Sequence, residues 1–114
     1  MSLTVSADAI DAGTLVRVTG RLDSATSGPF EKQLLEHFNA PGSRVLIDLA
    51  ALDYISSAGL RVILMAAKRA KQTQGRLVLC ALQPHVQEVF EISGFLKIIE
   101  VEADEAAGRA RLAA

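Results

Sequence analysis

Five side chains stand out as able to do chemistry: the adjacent hydroxyls of Ser56 and Ser57, the single thiol of Cys80, and the imidazoles of His37 and His85. A metal site needs several His, Cys, Asp or Glu ligands at a recognised spacing. His37, His85, Cys80 and the scattered carboxylates do not have one, so no metal is expected. A serine hydrolase needs a G-x-S-x-G elbow. Here Ile55 and Ser56 precede Ser57, and His85 lies far along the chain, where it reads as a solvated polar residue. Cys80 sits in the apolar run Leu77-Val78-Leu79-Cys80-Ala81 and reads as a buried structural thiol. Neither G-x-x-x-x-G-K-[ST] nor G-x-G-x-x-G occurs, so no nucleotide cofactor is indicated. No acid, base and nucleophile converge, and the chain is not expected to be an enzyme.

The two serines remain. They lie in LDYISSAGLRVIL, Leu52 to Leu64, between a strand-like run and an amphipathic helical pattern. A helix start presents unpaired amides and partial positive charge, which favour anions. Serine is also a preferred N-cap, contributing about 1 kcal/mol. The capping-box partner is missing, because Gly59 and Leu60 stand three residues after Ser56 and Ser57. Ala58 and Gly59 leave the first turn bare, and Gly59 costs roughly 1 kcal/mol of helix stability relative to alanine. A bare turn admits another protein to the backbone and a hydroxyl. Cap and modification site are both open readings at this point.

The elements that must position these residues follow from pattern. Leu3–Ala7 and Thr14–Thr19 read as a hairpin around Asp11-Ala12-Gly13, with Gly20 ending the second strand. Asp23 or Ser24 is the expected N-cap of a helix carrying Phe30, Leu34, Leu35 and Phe38 on one face. Arg44–Leu49 reads as a buried strand. A helix over Ser57–Gln74 follows, with Leu60, Ile63, Leu64, Ala67 and Ala70 inward and Gly75 as C-cap. Arg76–Ala81 is a strand. Pro84 opens a short helix with Val86, Val89, Phe90 and Ile92 inward. Leu96–Val101 reads as the last strand, and Asp104–Leu112 as a terminal helix. The order β-β-α-β-α-β-α-β-α implies an α/β fold: a small, mixed, mostly parallel sheet with helices packed on it.

The bulk numbers agree with one domain over residues 1–114. Half of the 114 residues are hydrophobic, and tryptophan is absent, so the core must be aliphatic. The formal charge of -1 gives no nucleic-acid footprint. No apolar run approaches the ~18 residues of a membrane span. The start MSLTVSADAI is unlike a signal peptide, so a cytoplasmic location is expected.

The element order, the TGRLD turn at Thr19–Asp23, VLIDLAALDYISSAGLRVIL at Val45–Leu64 and GRLVLCALQPHVQEVFEISGFLKIIEV at Gly75–Val101 together resemble a STAS domain. Within that family they resemble most the bacterial anti-sigma factor antagonists. The resemblance implies the STAS fold and a partner-switching role. In the family, a GHKL-type anti-sigma factor serine kinase phosphorylates a serine in a D-S-[ST]-G-L motif, and a PPM-type phosphatase reverses it. Aligning Gly59-Leu60 puts the acceptor at Ser57, with Ser56 as the alternative. Ser56 then stands where the motif has aspartate, and Ala58 where it has a second hydroxyl.

The same resemblance implies that Asp23 and Ser24 form a partner-facing loop, with Ser56, Ala58 and Gly59 in the contact. Arg61 and Met65, one turn apart, are expected on the outward side of the helix. Asp48 is expected at the end of the third strand by the same edge. No nucleic acid or membrane is implied, and a monomer or weak dimer is expected. The rival readings are a STAS subunit of a lipid-transport ATPase complex and a small-molecule or nucleotide-binding module.

Overall fold

Alternation along the strands sets up two separate apolar layers. In the computed structural model, which describes residues 2–114, the strands are β1 (Leu3–Ile10), β2 (Gly13–Leu22), β3 (Arg44–Asp48), β4 (Leu52–Ile55), β5 (Arg76–Cys80) and β6 (Glu100–Glu102). The helices are α1 (Ser27–Glu36), α2 (Ser57–Gln72), α3 (Pro84–Ser93) and α4 (Glu105–Ala113), with a 3-10 turn at Phe95–Lys97. The sheet order is β1-β2-β3-β5-β6, and β4 pairs with the far end of β2. Among the described residues only β1–β2 is antiparallel, and the other pairings are parallel.

Along β3, Val45 and Ile47 face one layer and Leu46 the other. Along β5, Leu77 and Leu79 alternate with Val78 and Cys80 in the same way. The larger layer receives Phe30, Leu34 and Phe38 from α1 and its C-terminal extension, Leu60 and Ile63 from α2, and Val86 and Phe90 from α3. The smaller layer joins Leu15, Leu46, Val78 and Cys80 to Leu112 of α4. Gly108 lets α4 lie flat there, since a Cβ would come 2.7 Å from Leu46 Cδ1. Burial pushes the Cys80 thiol up to about 12, which agrees with a structural, unreactive cysteine.

The expected order of elements is present, with additions and shifts. A short strand, β4, precedes α2. The strand β2 continues past Gly20, whose φ of +110° suits a glycine, to Leu22. The α1 helix begins at Ser27 with Thr26 as N-cap, so neither Asp23 nor Ser24 caps it. On α2 the fully buried stripe includes Val62 and Ala66, while Leu64 and Ala67 are only half-buried. That helix ends at Gln72, and Gln74 rather than Gly75 takes the left-handed conformation. Gly75 is required for space, because a Cβ would lie 2.1 Å from the Ser43 carbonyl oxygen. The run Leu96–Val101 is not one strand: its first part winds into the 3-10 turn, and pairing starts at Glu100. Ile92 is 80% exposed, not inward.

An ion pair ties the edge strand β6 to its neighbour β5. Arg76 donates to both carboxylate oxygens of Glu100 at 2.8 Å. That pairing is the leading reason why Glu100 sits below its ordinary value of 4.5. A depressed folded value means a contribution present above the unfolded value and lost as pH falls through the folded one. Between about pH 5 and about pH 3, the Arg76→Gln chain should therefore lose less urea-measured stability than wild type. Equal losses would show that the pair contributes nothing against solvent screening.

Candidate functional site

The end of β2 carries the start of α2. The Ser56 amide donates to the Leu22 carbonyl at 2.9 Å, so the residue that ends β4 pairing also fixes where the helix begins. Ser56 is the N-cap: its backbone is extended, and its Oγ accepts from the Gly59 amide at 3.2 Å. Its carbonyl accepts from Leu60 at 2.9 Å. Ser57 is the first residue inside the helix and is exposed. Its hydroxyl has no hydrogen-bond partner among the described residues. The two adjacent serines thus differ in kind, since one hydroxyl is engaged in the cap and the other is available.

Gly59 is not a bare spot. It is buried, and a Cβ there would lie 2.7 Å from Leu22 Cγ and 3.0 Å from Ile55 Cγ1. Its glycine lets the first turn of α2 sit directly on the ends of β2 and β4. Ala58 is half-buried beside it.

The neighbouring loop is locked by Asp23. Its Oδ1 accepts from the amides of Ala25 and Thr26 at 3.0 and 3.1 Å, and its own amide donates to Thr26 Oγ1 at 2.9 Å. The Thr26 amide is the main cause that holds the Asp23 carboxyl below its ordinary range. Thr26 Oγ1 donates to the Arg21 carbonyl at 2.9 Å, which ties this loop back to β2. Asp23 therefore works as a turn lock and leaves Ser24 exposed at the tip. Arg61 and Met65 lie outward on α2, with Met65 37% exposed. Asp48 does not join this group. Its carboxylate lies in the α4 layer, 3.9 Å from Arg17, and accepts from the Ala50 amide at 2.9 Å.

The site also has electrostatic polarity. The first turn of α2 carries no acidic residue, and Arg69 and Lys71 occupy its last turn, where they oppose the negative end of the dipole. An open groove of about 760 Å³ runs between α1 and α2, lined by Lys32, Leu35 and Arg69 among others; neither Ser56 nor Ser57 lines it. Reading the sequence missed the Leu22 carbonyl and the pair Arg21–Tyr54, because both depend on β4.

The family model for the STAS domain matches residues 4–108. BtrV of Bordetella bronchiseptica, whose name assigns it provisionally to the anti-sigma factor antagonists, is 50% identical over 101 residues, covering 89% of this chain and 85% of its own. The anti-sigma-B factor antagonist of Listeria monocytogenes is 38% identical over 86 residues, 75% of each chain. Among solved structures, an anti-sigma-factor antagonist (STAS) domain protein from Planctomyces limnophilus superposes with a TM-score of 0.86 at 17% identity, covering 96% of this chain and 98% of its own.

Substitutions at the helix start should separate these roles. In urea denaturation, Ser56→Ala should cost about 1 kcal/mol, whereas Ser57→Ala should stay within about 0.5 kcal/mol of wild type. The reverse ranking would mean that Ser57 is the cap. Gly59→Ala should destabilise by about 1–3 kcal/mol through overpacking, against the gain of roughly 1 kcal/mol that alanine brings to an open helix position. A stabilised variant would show that Leu22 and Ile55 can yield.

Proposed function

The chain belongs to the STAS domain family, and on that footing we propose that it is an anti-sigma factor antagonist that changes partners when Ser57 is phosphorylated. The observation that carries this reading is the exposed Ser57 hydroxyl at the first position of α2, next to a Ser56 whose oxygen already holds the cap. Ser56 is the weaker acceptor, because phosphorylating it would first require breaking that cap.

In this reading the unmodified domain binds a GHKL-type anti-sigma factor kinase in the cytoplasm and so releases the sigma factor. Ser24, Ser57, Arg61 and Met65 supply the contact surface, with Asp23 fixing the loop, the small side chain of Ala58 leaving the partner room, and Gly59 letting α2 pack on the sheet beneath them. The kinase transfers the γ-phosphoryl of ATP to Ser57 Oγ; the hydroxyl proton goes to a base on the kinase and ADP leaves. A PPM-type phosphatase later hydrolyses the phosphoserine to serine and inorganic phosphate. The domain itself catalyses neither step.

The physics of release is charge exclusion. A phosphate adds about -1.5 to -2 charges. At the positive end of α2 the free domain accepts it, with a gain of ~0.3–1 kcal/mol. Pressed against a partner, the same charge must be desolvated, which is costly unless paired. A penalty of about 3 kcal/mol weakens binding roughly a hundredfold.

Incubation with the cognate kinase and ATP should yield one phosphate on Ser57 by mass spectrometry. Ser57→Ala should remain bound when ATP is added. Ser57→Asp should bind the kinase at least about tenfold more weakly with an unchanged circular dichroism spectrum. A phosphate on Ser56 would overturn the choice of acceptor, and a tightly binding Ser57→Asp chain would overturn charge exclusion.

A further inference from the structure

The sheet face opposite α1, α2 and α3 is covered unevenly. Helix α4 lies over β3, β5 and β6, and the β2–β4 end of that face stays open. There the pairing of β2 with β4 changes register. Gly20 faces Leu52, but the next pair is Arg21 with Tyr54, so Asp53 is squeezed out of the ladder. Gly20 absorbs the distortion at φ +110°, where a Cβ would come 2.4 Å from the Ser2 carbonyl oxygen. Asp53 is held from the other side, its carboxylate by Gln83 at 3.3 Å and its carbonyl by His85.

This irregularity re-aims two side chains. Leu22 and Ile55 enter the main core, so their neighbours Arg21 and Tyr54 turn to the opposite face. The Arg21 guanidinium carbon lies 4.1 Å from the centre of the Tyr54 ring, and Tyr54 is 39% exposed. A guanidinium stacked in this way uses its flat face on the ring and keeps the N–H donors around its edge for a ligand. Arg17, Arg76, Arg109 and Arg111 each pair with a carboxylate within 4 Å; among the described residues Arg21 makes no such ion pair, and the Asp23 carboxylate, already held by its own loop, feels its charge only at longer range.

We propose that Arg21 and Tyr54 form a docking ledge that receives a carboxylate side chain of the anti-sigma factor partner. This rests on the reading that the partner sits at Ser57. Tyr54 is three residues before Ser57, at most about 10 Å along the chain. A standard interface covers about 800 Å² per partner, a patch roughly 30 Å across. A partner centred on Ser57 therefore reaches the ledge within an ordinary footprint. The occupant follows from charge and shape: a planar, stacked guanidinium with its edge open matches a carboxylate in bidentate geometry. Arginine and tyrosine are also residue types that carry interface energy out of proportion to their area.

The test is the affinity of the full chain for its cognate anti-sigma factor with ADP present, so that Ser57 stays unmodified. Arg21→Ala and Tyr54→Ala should each weaken binding at least about tenfold, and the double variant should lose little more than the worse single one. Tyr54→Phe, which keeps the ring, should bind like wild type. Arg21→Lys should recover only part of the loss, because an ammonium cannot make the bidentate contact. The loss in Arg21→Ala should shrink as salt rises. Arg21→Ala binding within about twofold of a tightly bound wild type would sink the ledge and leave the role of Ser57 intact. Equal binding by Arg21→Lys and wild type would overturn the bidentate carboxylate. A wild-type chain that binds no anti-sigma factor would remove both readings together.

Discussion

The first turn of α2 can reach the sheet only because residue 59 has no side chain. The space that a Cβ would need is filled by Leu22 and Ile55, the last residues of β2 and β4. That close approach brings the Ser56 amide onto the Leu22 carbonyl and sets the direction in which α2 leaves the sheet. Everything at the site follows from this contact. The cap falls to Ser56, the next residue is thrown outward, and the β2–α1 loop is brought alongside through Leu22 and Asp23. A glycine in a helix interior usually weakens the helix, by about 1 kcal/mol against alanine. Here that cost is offset by burying Leu22, Ile55 and Leu60 together.

The same contact explains why two identical side chains one residue apart behave differently. A capping hydroxyl is held by its acceptor role, whereas the N1 hydroxyl projects from a turn that has no acidic residue. The Asp23 carboxylate is held in its own loop by Ala25 and Thr26, which occupy one of its oxygens. Ser56 and Asp23, the polar groups that flank Ser57, are thus committed to the fold before any partner arrives. A preorganised surface of this kind loses little side-chain entropy on binding.

Much of this was legible in the sequence because the long elements have strong periods. The buried runs of β3 and β5 and the helical stripes of α1 and α2 are continuous, and breakers flank them. The exposure of Arg61 and Met65 followed from helical geometry alone. The parts that were not legible depend on tertiary contacts. Strand β4 is four residues long, is irregular at Asp53, and runs straight into a helix, so no period of two survives in it. Leu96–Ile99 is apolar enough for a strand, yet Ile99 reaches the core from beside a 3-10 turn. Propensity alone makes Gly59 a gap in the first turn, and only the packing of Leu22 and Ile55 identifies it as a contact. Ser57 itself rested on a motif, and its exposure is a fact of the fold that the motif does not contain.

The architecture also limits how a phosphate could be read. Ser57 lies at the edge of the larger core, and α4 is held on the other face by Arg17 with Glu105 and by Arg111 with Glu102, both at 2.8 Å. No chain of titratable or mobile groups is needed to link the two. A helix N-terminus changes the free energy of a nearby anion by ~1 kcal/mol or less, in the favourable direction. Domains of this size are stable by about 5–15 kcal/mol. A change that small, and of that sign, cannot drive a refolding of the sheet or the release of α4. If phosphorylation alters what the domain binds, the difference must therefore arise where a partner excludes water from Ser57, and the fold's task is to hold that hydroxyl in the same place before and after modification.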